Sequence, residues 1–450
     1  MGKVRSTIIK YEKFLLILLS IPVLVFYGIN QGYFWDEAVF LGLSKNIHQD
    51  NYYINLNQES YRPPLFPAIL ATFSFLGEFI KLIPIIFTII TVIIVYYFVK
   101  KIYNEKVAMI ATSFLATAPW IIYYSQRILT ETLFMMLFTA SIFLIHLSTE
   151  KKKYLPLTFA LFGLAFLTRY QGILLLAIFL IYILIIKRTS IIKTKEFLLP
   201  LIVFFIILVP WFYIGFTYYS NPYELYVDQM KNGLINPPGT FQGPFYFYII
   251  NSIGIFGISI ILLPLFFREK IFRNKFNILL FISMIIIILF FSIMERKEYR
   301  YLISFTGVFY IAAAYSLMSI YNKKRKILLC LVIVLIIAVN LLMATQLILE
   351  GKTAGKNIKD ASLFLKENLS ENEYIIAENY PVVNYMTNSK IIAFPKTKEE
   401  FMELKNKYDV RYFVVDYGEF YIPDYIEEIN AIKIKEFGNE YKVIVYEIPS

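Results

Sequence analysis

Long apolar runs without a charged residue recur along the first three quarters of the chain. Two of them, FLLILLSIPVLVFYGI and ILLCLVIVLIIAVNLLMATQLIL, have about the length that a helix needs to cross a bilayer. Hydrophobic residues make up 58% of the 450 positions, and the mean hydropathy is +0.60. A soluble protein of this length is not so apolar, so the sequence predicts a polytopic α-helical membrane protein.

Short basic segments separate the apolar runs. They are KKIYNEK (100–106), EKKK (150–153), KRTSIIKTKE (187–196), REKIFRNK (268–275) and NKKRK (322–326). Basic loops of membrane proteins stay in the cytoplasm, so this pattern sets the orientation and accounts for the net charge of +11 without a nucleic acid partner. The basic start, MGKVRSTIIKYEK, precedes a long run without a small-residue cleavage site, which predicts a retained first span.

Placing every basic segment in the cytoplasm gives about eleven transmembrane helices. We expect them at 13–30, 82–99, 107–122, 128–147, 155–167, 172–186, 197–216, 245–267, 276–294, 301–320 and 327–349. The N-terminus is then cytoplasmic and the C-terminus lies outside. Residues 64–80 contain Pro64, Pro67 and Gly77 and are short for a span. We expect them to form a helix at the outer interface.

Hydropathy falls and charge rises after residue 350. NIKDASLFLKENLS has helical spacing, whereas YIIAE, KIIAF, RYFVVDY and YKVIVYEI are β-branched and aromatic and are bounded by turn residues. The sequence therefore predicts a transmembrane domain, 1–350, with a first outer loop at 31–81, and a small extracytoplasmic α/β domain, 351–450. The single cysteine, Cys330, excludes an intrachain disulfide.

The scarce charges of the membrane half gather in the predicted outer loops. Charged groups at this depth are costly unless they are paired or hydrated, and they commonly mark a functional site. The charges are Asp36, Glu37 and Arg62 in the first loop, Arg127 and Glu131, Arg169, Glu224, Asp228 and Lys231, and the group Glu295, Arg296, Lys297, Glu298 and Arg300.

Known catalytic motifs are missing from the sequence. The two histidines, His48 and His146, belong to no HExxH motif, and the single cysteine forms no CxxC motif, which argues against a zinc enzyme. There is no Walker motif and no G-x-G-x-x-G. The available reactive groups are carboxylates, arginines and tyrosines, and an aspartate on an outer loop with arginines across from it suits group transfer from a lipid-linked phosphate. This reaction needs a base for the acceptor hydroxyl and cations for the phosphate.

Asp36 and Glu37 are adjacent, so on a helix they point about 100° apart and cannot both face one atom. We expect Asp36 to be the base, while Glu37 contacts a metal, a hydroxyl or an arginine. A divalent metal is left open. The alternative is that both acids only stabilise the start of a helix.

The basic residues are candidate phosphate contacts, and one of them has two interpretations. Arg127 and Glu131 are spaced for an intrahelical ion pair, or else Arg127 binds phosphate and Glu131 orients it. Arg169 falls where two short spans meet, at a break that can line a cavity. Arg62 precedes two prolines, which restrict the backbone at this point. This restriction suits a side chain that is positioned to contact a ligand.

The group after residue 294 has the same ambiguity. Arg296, Lys297 and Arg300 are either interfacial anchors or part of the phosphate site.

Taken together and in order, these segments resemble the GT-C superfamily of glycosyltransferases that use polyprenyl-phosphate sugars. The Asp36-Glu37 pair, YRPPLFPAIL, YYSQRILTETLF, FLTRYQGILLL and RYLIS carry the resemblance over roughly 12–350. The branch that contains the protein O-mannosyltransferases and the aminoarabinose transferases is the most similar.

The resemblance implies a dolichyl- or undecaprenyl-phosphate sugar as donor. The acceptor would be a hydroxyl of a protein, lipid or glycan. Asp36 matches the catalytic base, and Arg62 and Arg127 match basic residues of the family; Arg169 and Arg300 complete the expected phosphate site.

Glu131, Tyr301 and Arg296 would support the phosphate site. Glu131 stands where aspartate is common in mannosyltransferases, and Ser304 where proline is frequent. The predicted C-terminal α/β domain also differs from the trefoil domain of eukaryotic protein mannosyltransferases. This difference leaves the acceptor open.

Two other classes of protein would share part of this pattern. A transporter or flippase for a lipid-linked or anionic substrate would also use charges within a helical bundle. It would be expected to show charges near mid-bilayer and paired halves, whereas these charges lie on one side. A receptor-like protein that acts through 351–450 would leave the acids and arginines unexplained.

One displacement with Asp36 as base predicts inversion at the sugar carbon.

Overall fold

The computed structural model describes residues 32–47, 53–55, 58–59, 62–219, 227, 242–268, 274–320, 326–351, 354–370, 373–417, 424–439 and 442–449. These residues form two compact units. The helical unit draws its described residues from 61–66 and 81–348, and the mixed unit draws them from 27–60, 67–80 and 349–450. The predicted span 13–30, His48 and the charges Glu224, Asp228 and Lys231 lie outside the described residues.

Most of the first outer loop belongs to the mixed unit. The sequence placed the whole loop 31–81 in the domain 1–350, but the described residues of 27–60 and 67–80 group with those after 348. Helix α1, Trp35–Ile47, buries an apolar surface that includes Val39 and Leu43. The partner of this surface lies in the C-terminal part of the chain, and hydropathy along the sequence does not show this grouping.

The predicted interfacial segment 64–80 forms no span of its own. Helix α2, Leu65–Thr72, has 8 residues, and a 3₁₀ helix follows at Ser74–Lys81. Gly77 has a φ of +55°, a conformation that favours glycine. The position of α2 relative to the membrane surface stays a prediction.

The helical unit consists of α-helices joined by short turns. Their bounds are α3 Leu82–Ile102, α4 Glu105–Thr117, α5 Pro119–Ser125, α6 Glu131–Glu150, α7 Leu155–Thr168, α8 Leu174–Ile185, α9 Leu198–Tyr219, α10 Phe247–Ile250, α11 Ser252–Phe256, α12 Leu263–Arg268, α13 Lys275–Ile293, α14 Arg300–Ile303, α15 Thr306–Ser319 and α16 Lys326–Gly351. Two 3₁₀ helices matter for the geometry, Tyr170–Ile173 before α8 and Ile258–Leu262 before α12.

Stacked aromatic rings and small residues hold these helices together. Phe143 of α6 stacks on Phe98 of α3 and Phe276 of α13, with ring centroids 4.7 and 5.5 Å apart. Helix α15 carries three consecutive small residues, Ala312–Ala314, and all three are buried. In lipid there is no hydrophobic drive between helices, so close packing of this kind supplies the association.

The structure does not confirm the count of eleven spans. Among the described residues, 5 helices are long and apolar enough to cross a membrane, or 6 if α4 and α5 count as one span bent by 60°. The bend falls at Ala118-Pro119, because a proline has no N–H to continue the helix. The chain therefore has several membrane-spanning helices together with broken ones.

Three predicted spans are not single helices. Residues 245–267 form α10, α11, a 3₁₀ helix and the start of α12, interrupted at Gly257 with a φ of +70°. The predicted span 301–320 divides into α14 and α15, and 107–122 into α4 and α5. Hydropathy reports which residues are apolar but not where the backbone turns, so it merges such pieces.

The mixed unit contains a five-stranded sheet in the order β4-β3-β5-β7-β6. The strands are β3 Tyr374–Ala377, β4 Lys390–Ile392, β5 Val410–Asp416, β6 Ile432–Phe437 and β7 Val443–Glu447, and a separate hairpin pairs β1 Tyr53–Asn55 with β2 Gln58–Glu59. Strands β3, β4 and β5 are parallel to one another, and β7 pairs antiparallel with both β5 and β6.

Three helices accompany the sheet, α17 Lys356–Asn368, α18 Tyr380–Thr387 and α19 Lys398–Lys407. The core includes Phe401, Phe413 and Ile376, and Phe394 stacks on Phe413 at 4.6 Å. A Thr397 side chain caps α19 by accepting the N–H of Glu400.

Helix α1 packs on α18 within the mixed unit. The rings of Trp35 and Tyr380 meet edge to face at 4.7 Å, and those of Tyr33 and Tyr385 at 5.4 Å. The backbone before α1 comes so close to the start of α17 that a Cβ on Gly32 would lie 2.1 Å from a carbonyl oxygen. The acids of α1 are therefore held by the C-terminal part of the chain.

Candidate active site

Glu37 caps the helix that carries both candidate acids. Its Oε2 accepts the backbone N–H of Phe34, the residue before α1, at 2.8 Å, and the side chain is only 1% exposed. A glutamate at the third helical position that reaches back to the first free N–H is one half of a capping box. The alternative interpretation, in which an acid stabilises the helix start, thus describes Glu37.

Asp36 has a different environment. It lies in the first turn of α1 and is half-buried, so part of it is accessible to solvent. The positive end of the helix dipole favours its ionised form. The two acids therefore differ in their surroundings, since Glu37 is buried and bonded to the backbone N–H of Phe34, whereas Asp36 is half-buried.

Glu131 and Arg169 form a buried ion pair in the helical unit. Arg169 Nη1 lies 2.8 Å from Glu131 Oε1, and the side chains are 13% and 4% exposed. The same nitrogen lies 3.4 Å from the hydroxyl of Thr130. Arg169 reaches this position because α7 ends at Thr168 and the backbone of Arg169 is extended. The prediction that Arg169 marks a break between two short helices agrees with this geometry.

Arg127 lies in the turn between α5 and α6 and is 1% exposed. Its Nη2 donates to the hydroxyl of Tyr123 at 3.4 Å, and its guanidinium lies 5.3 Å from the centre of that ring. The intrahelical pair of Arg127 with Glu131 is wrong, because α6 begins at Glu131 and Glu131 pairs with Arg169.

A second group of charges surrounds Glu298. Arg296 pairs with one carboxylate oxygen of Glu298, Arg300 lies 2.5 Å from the other, and the hydroxyl of Tyr301 donates to the first at 3.1 Å. Burial alone would raise the pKa of Glu298, but Arg300 and Arg296 outweigh it and hold the pKa below its ordinary value. Glu298 is thus ionised and fixes both arginines.

Lys297 has a structural role instead. Its Nζ donates to the carbonyl oxygens of Phe291 at 3.0 Å and Ser292 at 2.8 Å, and also to that of Met294. These groups belong to the last turn of α13, where carbonyls lack helical partners. Lys297 caps this helix and is not an interfacial anchor.

The two charge groups share one neighbourhood. Tyr124 lies within electrostatic range of Glu131, Glu298 and Arg300, and Tyr301 lies within range of Arg169 as well as its own group. We call this set the arginine cluster; its members are Arg127, Arg169, Arg296, Arg300, Glu131, Glu298, Tyr124 and Tyr301. The set contains four arginines and two glutamates.

The other predicted residues lie on other elements. Arg62 is half-buried in the turn before α2. Asp36 and Glu37 belong to the mixed unit. His146 contacts Tyr182 at 3.2 Å and Glu150 at 3.8 Å towards the C-terminal end of α6, away from Glu131 at its start.

Sequence reasoning missed two members of the cluster. Glu298 was noted as one charge among five, although the alternation Arg-x-Glu-x-Arg over 296–300 places an acid between two bases. Tyr124 is not among the predicted site residues. Neither residue can be assigned to a site from the sequence alone, because the sequence does not show that 123–131 and 296–301 fold together. Within the described part of the chain, no group of three or more His, Cys, Asp or Glu side chains is arranged to hold a metal ion.

The sequence matches one family. Residues 61–214 match the family described as dolichyl-phosphate-mannose-protein mannosyltransferase. This range contains Arg62, Arg127, Glu131 and Arg169. A search of curated protein sequences found no match.

The fold resembles several solved structures. ArnT from Cupriavidus metallidurans bound to undecaprenyl phosphate superposes with a TM-score of 0.76 at 13% identity, over 97% of this chain and 98% of that one. The oligosaccharyltransferase AglB from Archaeoglobus fulgidus, in complex with an inhibitory peptide and a dolichol-phosphate, gives 0.63 at 13% identity, over 89% and 69%. The arabinofuranosyltransferase AftD from Mycobacteria gives 0.51 at 13% identity, over 97% and 41%.

These matches confirm the predicted resemblance to the GT-C superfamily and to its mannosyltransferase and aminoarabinose transferase branch. The family match rests on sequence, whereas the structural matches at this identity establish the fold. The chain is accordingly a multi-pass membrane protein with the architecture of these glycosyltransferases.

Proposed function

We propose that this chain, whose fold is that of the GT-C superfamily glycosyltransferases, moves a sugar from a dolichyl or undecaprenyl phosphate to a hydroxyl acceptor. The observation that carries the proposal is the arginine cluster. Its four arginines outnumber its two glutamates, and most of these side chains are withdrawn from solvent. Guanidinium groups can bond phosphate oxygens in pairs, so an excess of arginine over glutamate at this depth suits an anionic ligand.

The charge of the donor fits this excess. A lipid-phosphate sugar is a phosphodiester with one negative charge. When the sugar leaves, the lipid phosphate becomes a monoester that carries about −1.5 to −2 at neutral pH. The arginines then interact more strongly with the leaving group than with the bound donor, and interactions that grow along the reaction lower its barrier.

The two glutamates hold the arginines in place for this task. Glu131 fixes Arg169, and Glu298 fixes Arg296 and Arg300. A fixed guanidinium can bond phosphate oxygens without losing side-chain entropy on binding. Arg127 and Arg62 are the further phosphate contacts that we propose, and Tyr301 supports Glu298 through its hydroxyl.

Asp36 is the proposed base. It accepts the proton of the acceptor hydroxyl while the hydroxyl oxygen forms a bond to the anomeric carbon. The bond from that carbon to the phosphate oxygen breaks, and its electron pair leaves with the polyprenyl phosphate. A single displacement inverts the anomeric centre. Glu37 supports Asp36 by fixing the start of α1.

The family match and the neighbours support this class of donor. The matched family is described by its use of dolichyl-phosphate mannose. ArnT was solved with undecaprenyl phosphate and AglB with a dolichol-phosphate. All of these ligands are isoprenoid phosphates, which accounts for a site built on membrane helices. We propose a hexose or a pentose as the transferred sugar and a hydroxyl group as the acceptor.

We further propose that the N-terminus is cytoplasmic and the mixed unit extracytoplasmic. The basic loops between apolar helices support this orientation. A reporter fused after Lys326 should read cytoplasmic, and one fused at Ser450 should read external. A cytoplasmic mixed unit would contradict both the orientation and an outer-face reaction.

The decisive experiment is a transfer assay. Membranes containing the protein are given radiolabelled polyprenyl-phosphate sugars, one at a time, and labelled product is counted. Asp36→Asn should lower turnover about a hundred- to ten-thousandfold, the usual contribution of a positioned base. Asp409→Asn is the matched control, since Asp409 is exposed and distant in sequence from the proposed base.

A companion variant tests the cluster. Arg169→Ala should weaken donor use about ten- to a hundredfold, whereas Arg188→Ala, which removes an exposed arginine, should not. If donor crosses the bilayer in intact vesicles but no glycosidic bond forms with any acceptor fraction, the transporter interpretation replaces this one. Product with the donor's anomeric configuration would refute the single displacement.

A further inference from the structure

A cavity of about 270 Å³ lies within the mixed unit, between the start of α1 and the sheet. This is about nine times the share of volume of one water molecule, roughly 30 Å³. Its walls include Tyr33, Phe34, Glu350, Asn357, Asn379 and Asp416. The space is therefore large enough for a group of the size of a sugar ring.

The cavity sits where an open α/β sheet commonly binds ligands. Asn379 follows the end of β3 by two residues, and Asp416 is the last residue of β5. These strands are parallel neighbours, so their carboxyl ends meet at one edge of the sheet. From β3 the chain continues to β4 on one side, and from β5 it continues to β6 and β7 on the other. Ligands bind at such a switch point because the two connections leave a crevice.

One polar atom of the cavity wall lacks a partner. Asn379 is 4% exposed, and its Oδ1 has no hydrogen bond among the described residues. A buried acceptor without a donor costs about 1–3 kcal/mol. Its side chain also does not cap α18, although it occupies the capping position. A ligand that donates a hydrogen bond would relieve this cost.

The remaining walls define which ligand fits. Glu350 and Asp416 contribute carboxylates, and none of the lining residues that the structure describes carries a positive charge. This described part of the wall disfavours an anionic ligand. Tyr33 stays a neutral phenol, because burial together with Tyr385, Glu78 and Glu37 raises its pKa above the ordinary value. Carboxylates and the oxygens of carboxamides accept hydrogen bonds from hydroxyl groups, while Tyr33 and Phe34 offer aromatic surface.

We propose that this cavity binds an uncharged saccharide through its hydroxyl groups and serves as the acceptor subsite. The class of acceptor is then a glycan, whose hydroxyls donate to Asn379, Asp416 and Glu350 while its C–H face lies on the aromatic wall. The acceptor role rests on the proposed function, because it requires a sugar donor.

The cavity is linked to the proposed base through the backbone. Tyr33 and Phe34 line it, and Phe34 donates the N–H that Glu37 accepts at the start of α1. Asp36 is two residues further on, within the same compact unit. A saccharide that orders residues 33 and 34 therefore also orders the helix start that carries Asp36.

Binding is tested without any donor. Full-length protein in lipid nanodiscs, which contain no sugar detergent, is mixed with methyl α-glycosides of mannose, glucose and galactose and with the methyl glycoside of glucuronic acid. Saturation-transfer NMR reports which sugars bind. At least one neutral glycoside should bind, and the glucuronide should not.

Two variants locate the site. Asn379→Leu should weaken binding of the neutral glycoside about three- to tenfold, and Asp416→Asn about ten- to a hundredfold, as expected for loss of a neutral and a charged hydrogen bond. Asn406→Leu changes an exposed asparagine on α19 and should have no effect. Thermal unfolding of each variant shows whether it is folded, and Asp416→Asn keeps the shape of the side chain if Asn379→Leu fails to fold.

The outcomes separate this inference from the proposed function. If no neutral glycoside binds, or if both folded variants bind as well as wild type, the inference is overturned, whether or not Asp36→Asn abolishes transfer. If the glycoside binds and the variants lose it, the subsite stands. Failure of transfer from every polyprenyl-phosphate sugar would then remove only the acceptor role and leave a saccharide-binding site.

Discussion

Replacing Glu37 with Gln tests whether the two adjacent acids of α1 have different roles. Glu37 Oε2 accepts the N–H of Phe34 at 2.8 Å, and the side chain is 1% exposed. Gln keeps the length and one acceptor oxygen but loses the charge. A bond to a charged group contributes about 1.5–3 kcal/mol, and a neutral one about 0.5–1.5. The difference is a loss of about 1–2 kcal/mol in the free energy of unfolding, with little change in turnover.

Asp36→Asn should behave in the opposite way. Asp36 is half-buried and is the proposed base, so its loss should lower turnover about a hundred- to ten-thousandfold and leave stability nearly unchanged. Both variants are measured by initial rates of labelled-sugar transfer and by thermal unfolding in nanodiscs, below the unfolding temperature of each. The expected shift for Glu37→Gln is about 2 to 8 °C.

The pattern of the two measurements decides the assignment. If Glu37→Gln lowers turnover as much as Asp36→Asn while its unfolding temperature is unchanged, the cap is not its role and the base has been assigned to the wrong acid. If both variants unfold early and lose activity together, neither is catalytic in the proposed sense. Asp409→Asn, at an exposed position, should change neither measurement.

Three further predictions concern the charges and the backbone. Glu131→Gln leaves Arg169 buried without its 2.8 Å partner, so we expect a loss of about 3–5 kcal/mol and weaker donor use, measured by unfolding and by donor titration; an unchanged unfolding temperature would contradict this. The pKa of Glu298 lies below its ordinary 4.5 when folded, so its stabilising contribution is complete above about pH 5 and is lost as the pH falls through the folded pKa. Glu298→Gln should remove this acid-side loss from the pH profile of unfolding, and an identical profile would refute it. Gly355→Ala should lower the unfolding temperature, since φ is +71° and a Cβ would lie 2.7 Å from the carbonyl oxygen of Tyr33; tolerance of alanine would show that the two segments separate easily.

The sequence by itself determined the class of protein and the chemistry of its side chains. Runs without charge can satisfy their backbone in lipid only as helices, so the membrane helices followed from composition. Strands β3, β4, β5 and β7 coincide with the β-branched segments after residue 373, since alternation and turn residues are local signals. The positions of Asp36, Arg127 and Arg169 beside helix ends were also readable, because charge is excluded from the apolar runs.

The tertiary structure decided which side chains meet. Glu131 is four residues from Arg127 but pairs with Arg169, 38 residues away, because α6 begins at Glu131 and α7 ends just before Arg169. Breaks at Ala118 and Gly257 divided predicted spans, since a proline or a positive φ acts at one residue and barely alters hydropathy.

The different environments of Asp36 and Glu37 depend on a single hydrogen bond to Phe34. The cavity beside Asn379 and Asp416 depends on strand order, which brings together residues 37 positions apart at one sheet edge. Contacts between distant segments arise from packing, and a pattern along the chain does not contain them.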